Sequence, residues 1–259
     1  ALSALRQAGG TPVLADVAEG SLFSSVDEIK TRITDKTRAI VVAHTFGFHA
    51  PMGELREIGV PLIEDASHAI GSECDERPAG QSGAISVISF APSMVITTGN
   101  GGMVLTDNSR YFSAMRELRG GPTPERIGFD YTMTDFQAAM GLSQLSRLPD
   151  FIRRRREIAR AYLEALKTTP HRAPYAFGES FVYQSFPILF DAPAEKIEKY
   201  WKKSGIEVLR PLPVALHAHL SLRALDYPHS DRLSKKLYAL PIYPTLTRKE
   251  IEKITRALG

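Results

Sequence analysis

Two uninterrupted apolar runs, Ala39-Ile40-Val41-Val42-Ala43-His44 and Pro61-Leu62-Ile63-Glu64-Asp65, are joined by a short helical pattern from Met52 to Ile58. Apolar runs of this length without polar alternation are what strands covered on both faces look like. A strand, a helix and a second strand in succession imply a right-handed crossover and parallel neighbours. The same rhythm surrounds this core. Pro12 to Val17 reads as a strand entered from the Gly9-Gly10 turn, and Val26 to Ile33 as a helix. Ala84 to Phe90 and Gly102 to Thr106 read as strands, followed by a helix from Ser109 to Arg119. The chain is expected to hold an α/β domain with a mainly parallel sheet.

The second half reads differently. Thr134 to Leu166 is one long helical tract that Pro149 should kink or break. Beyond it, Phe181 to Phe190 and Ile206 to Leu209 have strand character. Ala194 to Lys203, Asp231 to Ala239 and Arg248 to Leu258 are helical, the last with Thr247 and Glu250 spaced as a capping box. Two domains are expected: a large α/β domain over 1–148, then a linker helix and a small α+β domain over 149–259.

Composition narrows the function classes. A net charge of +3 is too small to argue for nucleic acid, and Arg153-Arg154-Arg155-Arg156 reads as a solvated helix face or an oligomer contact. The apolar runs fall far short of the ~20 residues that span a bilayer. Cys74 is the sole cysteine, so no internal disulfide is expected and a reducing, cytoplasmic setting fits. No signal peptide is visible at the start, where Ala1 to Ala8 already has helical period.

Three segments carry chemistry. Glu64-Asp65-Ala66-Ser67-His68-Ala69-Ile70-Gly71 follows a buried strand. Ser89-Phe90-Ala91-Pro92-Ser93-Met94 follows another and runs into Thr97-Thr98-Gly99-Asn100-Gly101-Gly102. The third is Gly128-Phe129-Asp130-Tyr131-Thr132-Met133-Thr134-Asp135-Phe136-Gln137-Ala138-Ala139. An acidic residue at the carboxyl end of a parallel strand sits where ligands of such sheets bind, although Asp65 could equally cap a helix. The Gly99 to Gly102 cluster fits no dinucleotide or phosphate-loop spacing and reads as a tight turn into the next strand.

Together these segments resemble the DegT/DnrJ/StrS family of nucleotide-sugar aminotransferases that use pyridoxal phosphate (PLP). The resemblance covers nearly all of this chain but not the family's N-terminal portion, which carries a phosphate-binding Ser-Gly-Thr turn and a ring-stacking aromatic. It implies the PLP-transferase fold, type I and aspartate-aminotransferase-like. It makes Asp65 the partner of the ring nitrogen, places His68 near the ring hydroxyl, and makes Ser89 a donor to the PLP phosphate. A buried histidine satisfied by backbone is the simpler alternative for His68.

The same resemblance marks departures. The family lysine that forms the Schiff base with PLP is Met94 here, and the nearest lysines in sequence are Lys36 and Lys167. A thioether can neither condense with an aldehyde nor shuttle a proton. The family asparagine that crosses to the neighbouring subunit is Asp130, a poor partner for a phosphate dianion, and the arginine two residues later is Thr132. Leu240 to Thr247 resembles the family's closing motif and reads as structural.

Three expectations stand side by side. One is an active aminotransferase acting on a keto nucleotide-sugar with glutamate as amino donor. Another is a non-catalytic member that keeps the fold and a homodimer, or pairs with an intact paralogue. The third is an unrelated α/β binding module. Met94 favours impaired chemistry.

Overall fold

The computed structural model describes residues 1–74, 76–121 and 128–259. Contacts divide the chain into two units, one of Arg38–Ile152 with Ser180–Val182, the other of Ala1–Thr37, Arg153–Glu179 and Tyr183–Gly259. The boundary expected at 148/149 falls inside the same helix at which this division is made.

The first unit is built on a four-stranded sheet. Its strands are β1 (Ile40–Ala43), β2 (Leu62–Asp65), β5 (Ile85–Ser89) and β6 (Gly102–Leu105), in the order β1-β2-β5-β6. The first three run parallel and β6 is antiparallel. Between β1 and β2 come a single 3-10 turn, Thr45–Gly47, and helix α3 (Met52–Arg56). Between β2 and β5 lies a minimal hairpin, β3 (Glu73–Cys74) and β4 (Arg77–Pro78). The Gly99 and Gly101 turn does lead into β6, both glycines taking positive φ. Helix α4 (Ser109–Arg119) follows, with the Asn108 side chain accepting from the Arg110 and Tyr111 N–H groups as its cap.

Registering the strands shows two unequal faces. Val42, Leu62, Glu64, Ser86 and Ile88 share the buried face. On the other, Val41 and Val104 are exposed and Ile63, Ile85 and Val87 half-buried. Among the described residues β1 lies at one edge of this sheet and buries Val42 on one face. Below the sheet, Ala66, Ile88, Phe90, Val95, Ile96, Leu148, Ile152 and Val182 form one apolar cluster.

The long helical tract breaks ahead of Pro149. Helix α5 (Asp135–Leu145) starts on a Thr134–Gln137 capping box, and α6 (Leu148–Leu166) begins one residue before the proline. Pro149 thus sits in a first turn, where its missing N–H costs nothing.

The second unit opens with α1 (Leu2–Gln7) and α2 (Val26–Arg32). Pro12 to Val17 forms no strand, and among the described residues no strand pairs with it. Later come α7 (Ala194–Lys203), α8 (Leu216–His219), α9 (Pro228–Lys236) and α10 (Arg248–Leu258), with β7 (Phe186–Leu189) antiparallel to β8 (Leu237–Leu240). Residues 237–239, expected to end a helix, are strand because pairing with β7 wins over local period. Ile206 to Leu209 contributes only a bridge, Leu209 to Ala239.

Two buried charges organise this unit. Arg155, read from sequence as part of a solvated face, is 5% exposed. Its Nη1 donates to the carbonyls of Tyr183, Gln184 and Ile242 at 3.0, 3.0 and 2.7 Å. Burial without a carboxylate lowers its pKa to about 10. Asp16 caps α9 from a great sequence distance, accepting from the His229 and Ser230 N–H groups at 3.0 and 2.9 Å and from the Ser230 hydroxyl. Helix α9 has no cap of its own. Asp16→Ala is expected to destabilise this unit by about 2 kcal/mol, read by urea denaturation followed at Trp201, the only tryptophan; a loss below about 0.5 kcal/mol would contradict the capping role.

Candidate active site

The carboxyl ends of β2 and β5 bring most of the candidate residues together. Asp65 is the last residue of β2, and its carbonyl accepts from the His44 N–H at 3.0 Å, extending the β1 pairing by one residue. One carboxylate oxygen, Oδ1, accepts from the Ser67 N–H at 3.0 Å; among the described residues Oδ2 takes no hydrogen bond. Asp65 therefore caps the turn that follows and still has an acceptor in hand.

Ser67 and Ser89 are joined directly, the Ser89 N–H donating to Ser67 Oγ at 3.0 Å. Ser89 Oγ accepts from the Ala91 N–H at 3.3 Å. Both hydroxyls are thus used as acceptors, and each keeps its proton for an incoming acceptor. Ser67 was not singled out in the sequence; its place two residues after Asp65, in a turn ending a strand, was the available signal.

His68 is held on one nitrogen. The Phe46 N–H donates to its Nδ1 at 3.1 Å, and the two rings stack at 6.3 Å with 21° between planes. Burial lowers the His68 pKa, against the opposing pull of the Asp65 charge. A neutral histidine whose Nδ1 is an acceptor carries its proton on Nε2, and presents that atom as a donor. Backbone satisfaction and a ligand role are compatible here.

Met94 is half-buried, its N–H bonded to the Ala91 carbonyl at 3.1 Å. The residues after it, Val95 and Ile96, lie in the same cluster as Ala66, the residue that follows Asp65. The loop is pinned further by Thr97 Oγ1–H to the Phe90 carbonyl at 2.9 Å and by the Thr97 N–H to Gln144 Oε1 at 3.3 Å. Position 94 is thus set on an anchored loop. Asp130 stands apart: it is exposed, bridges to Gly120 and accepts from Thr132 Oγ1–H at 2.7 Å. Among the described residues no hydrogen bond or ring contact joins it to the Asp65 cluster.

Beneath this cluster lies a pair that the sequence gave no reason to connect. Glu64 and His44 are each 1% exposed at the side chain, with His44 Nε2 at 2.8 Å from Glu64 Oε1. Glu64 also accepts from the N–H groups of Gly80, Ser82 and Gly83 and from Ser86 Oγ–H, at 2.7, 2.8, 2.9 and 3.0 Å. Burial alone would raise this carboxyl; the hydrogen bonds from His44, Gly80 and Ser82 outweigh it and hold the pKa at about 2, against an ordinary 4.5. Gly83 permits the approach, since a Cβ there would fall 2.9 Å from the Glu64 Cβ and 2.7 Å from the Ile85 carbonyl. A charged residue in the middle of a buried strand was the only hint.

Such an arrangement suits a protonated pyridine: a carboxylate with a spare oxygen, a histidine donor and two hydroxyl donors around two adjacent strand ends. Residues 37–166, the stretch that contains Asp65, His68, Ser89 and Met94, hold no lysine. No metal-binding group of three or more His, Cys, Asp or Glu residues occurs among the described residues.

The architecture is that of the fold type I PLP aminotransferases. The aminotransferase TlmJ from Streptoalloteichus hindustanus superimposes with a TM-score of 0.89 at 27% identity, covering 98% of this chain and 74% of that one. S. venezuelae DesV, solved in complex with a ketimine intermediate, gives a TM-score of 0.91 at 26% identity, covering 98% of this chain and 73% of that one. In sequence the chain is 29% identical to the GDP-perosamine synthase of Escherichia coli O157:H7 over 273 residues, covering all of this chain and 75% of that protein. Residues 1–259 match the DegT/DnrJ/EryC1/StrS aminotransferase family throughout, and the chain belongs to that family. It spans about three quarters of the length of these relatives.

Proposed function

We propose that this chain carries the ring-holding part of a sugar aminotransferase site and does not supply the amine that would tether PLP. Amino transfer to a keto nucleotide-sugar by this chain alone is impaired. One observation supports the reading: Arg38–Ile152, which contains Asp65, has no lysine at all, and the family resemblance sets Met94 at the tethering position. The nucleotide-sugar class rests on family membership and on a relative named GDP-perosamine synthase.

When bound, PLP supplies a protonated ring that draws electron density from the carbon bearing nitrogen. This chain's residues serve that ring by position. Asp65 accepts from the ring nitrogen through the oxygen that Ser67 does not use, keeping the nitrogen protonated. His68 donates from Nε2 to an acceptor on the ring, and the Ser67 and Ser89 hydroxyls donate to the phosphate. The site takes pyridoxamine phosphate, which needs no tether, by these contacts alone.

Asp65→Asn is expected to weaken pyridoxamine phosphate binding at least about tenfold, since it replaces a charge-assisted hydrogen bond with a neutral one. Fluorescence titration of the cofactor checks this; equal affinity in both proteins would overturn the role of Asp65.

A second reading, in which the chain is a non-catalytic homodimer or the partner of an intact paralogue, is favoured by α5. That helix buries no residue, and Phe136 and Leu142 are 75% and 69% exposed. A cytoplasmic setting fits both readings, and no described helix is long and apolar enough to cross a membrane.

A further inference from the structure

The turn leaving β1 is strained, and it begins at His44 of the buried pair. Phe46 takes φ 61° and ψ 12°, the left-handed region that a bulky side chain rarely enters, and is 4% exposed. Such a conformation persists only where the surroundings over-determine it, and it clusters at working sites. Here the surroundings can be named. His44 begins the turn and its Nδ1 accepts from the Ala50 N–H at 3.2 Å, so one imidazole spans residues 44 to 50. Its other nitrogen then carries the proton and donates to Glu64 Oε1. Glu64 is in turn immobilised by four donors from residues 80 to 86. The Phe48 N–H closes the turn onto the Thr45 carbonyl at 3.1 Å.

The consequence reaches the site through one bond. The Phe46 N–H is the donor that occupies His68 Nδ1. We infer that the Glu64–His44 pair is a positioning device for His68: by bracing residues 44 to 50 it holds the Phe46 N–H against Nδ1, fixes the Nε2–H tautomer, and so makes His68 a donor rather than an acceptor toward whatever occupies the cluster. Neither Glu64 nor His44 touches the ligand; both act through Phe46. The choice of tautomer matters chemically, because an Nδ1–H histidine would offer a lone pair at Nε2 to a ring oxygen and repel it. The inference rests on the proposed role of His68, but its test does not, since tautomer state is read in the ligand-free protein.

Long-range proton–nitrogen NMR correlation of the His68 ring should show the Nε2–H form in the wild type at neutral pH. His44→Gln keeps a side-chain N–H for Glu64 and is expected to preserve that tautomer. His44→Leu removes both hydrogen bonds, and the ratio of Nε2–H to Nδ1–H should fall about tenfold, roughly the value of one net hydrogen bond. Protection of the Phe46 amide from solvent exchange should fall with it. A wild-type His68 in the Nδ1–H form, or an unchanged ratio in a folded His44→Leu protein, would overturn the inference. Should His44→Leu fail to fold, the wild-type spectrum and amide protection decide alone. Failure to bind pyridoxamine phosphate would instead overturn the reading of the site and leave this result standing.

Discussion

Replacing Glu64 with alanine is expected to cost about 3–5 kcal/mol, the range for removing one partner of a buried, hydrogen-bonded charge pair. The substitution leaves His44 Nε2–H, three backbone N–H groups and the Ser86 hydroxyl without their acceptor in a buried site. Each unpaired donor carries a penalty of about 1–3 kcal/mol, and local collapse or an entering water keeps them from adding in full. Trp201 reports on the other unit, so the loss is best read from amide exchange at residues 80–86, which should approach the exposed rate.

The same carboxylate sets an acid limit. Its folded-state pKa is depressed from 4.5 to about 2, so its contribution is complete above pH 4.5 and is lost as pH falls from there toward 2. The contribution is about 3 kcal/mol at roughly 1.4 kcal/mol per unit. Glu64→Gln should flatten the stability profile over that interval. An unchanged profile, or a loss below about 1 kcal/mol in the alanine variant, would contradict the hub.

The second large effect is a gain. Met94→Lys places a primary amine on a loop already pinned by Val95, Ile96 and Thr97. Lysine and methionine have similar lengths and flexible stems, so the exchange is tolerated at a half-buried position. With excess PLP the variant is expected to acquire visible absorbance that the wild type lacks. Asp65→Asn in the same background should remove most of it, since the carboxylate then no longer holds the ring nitrogen charged.

Much of this architecture was readable in sequence where local chemistry decides. Helix α10 begins at its Thr247–Glu250 capping box, α4 spans the expected Ser109–Arg119, and α7 the expected Ala194–Lys203. The misses share a cause. Leu237 to Leu240 follows a helix without a break in apolar period, and only pairing with Phe186–Leu189 makes it a strand. Pro12 to Val17 is apolar enough for a strand but among the described residues meets no partner strand. Arg155 is one of four consecutive arginines, and its burial among carbonyls some thirty and ninety residues away is set by tertiary packing that local pattern does not show.

The site divides in the same way. Asp65, His68 and Ser89 are candidates drawn from motifs contiguous in the chain. Their connections are not contiguous: His44 meets Glu64 across 20 positions, Ser89 meets Ser67 across 22, and the Phe46 N–H meets His68 across 22. Such bonds follow from strand register, which sequence pattern alone does not set. The Phe46 conformation had no sequence signal, since phenylalanine is a poor resident of the left-handed region.

The central claim is that this polypeptide holds the ring and lacks the tether. Wild-type and Met94→Lys proteins, each incubated with PLP, reduced with borohydride and mapped by peptide mass spectrometry, test it most directly. The account predicts no cofactor mass on any wild-type peptide from residues 38–152 and a single modified peptide, at position 94, in the variant. Cofactor mass on a wild-type peptide from that segment, or none at position 94 in the variant, would contradict it.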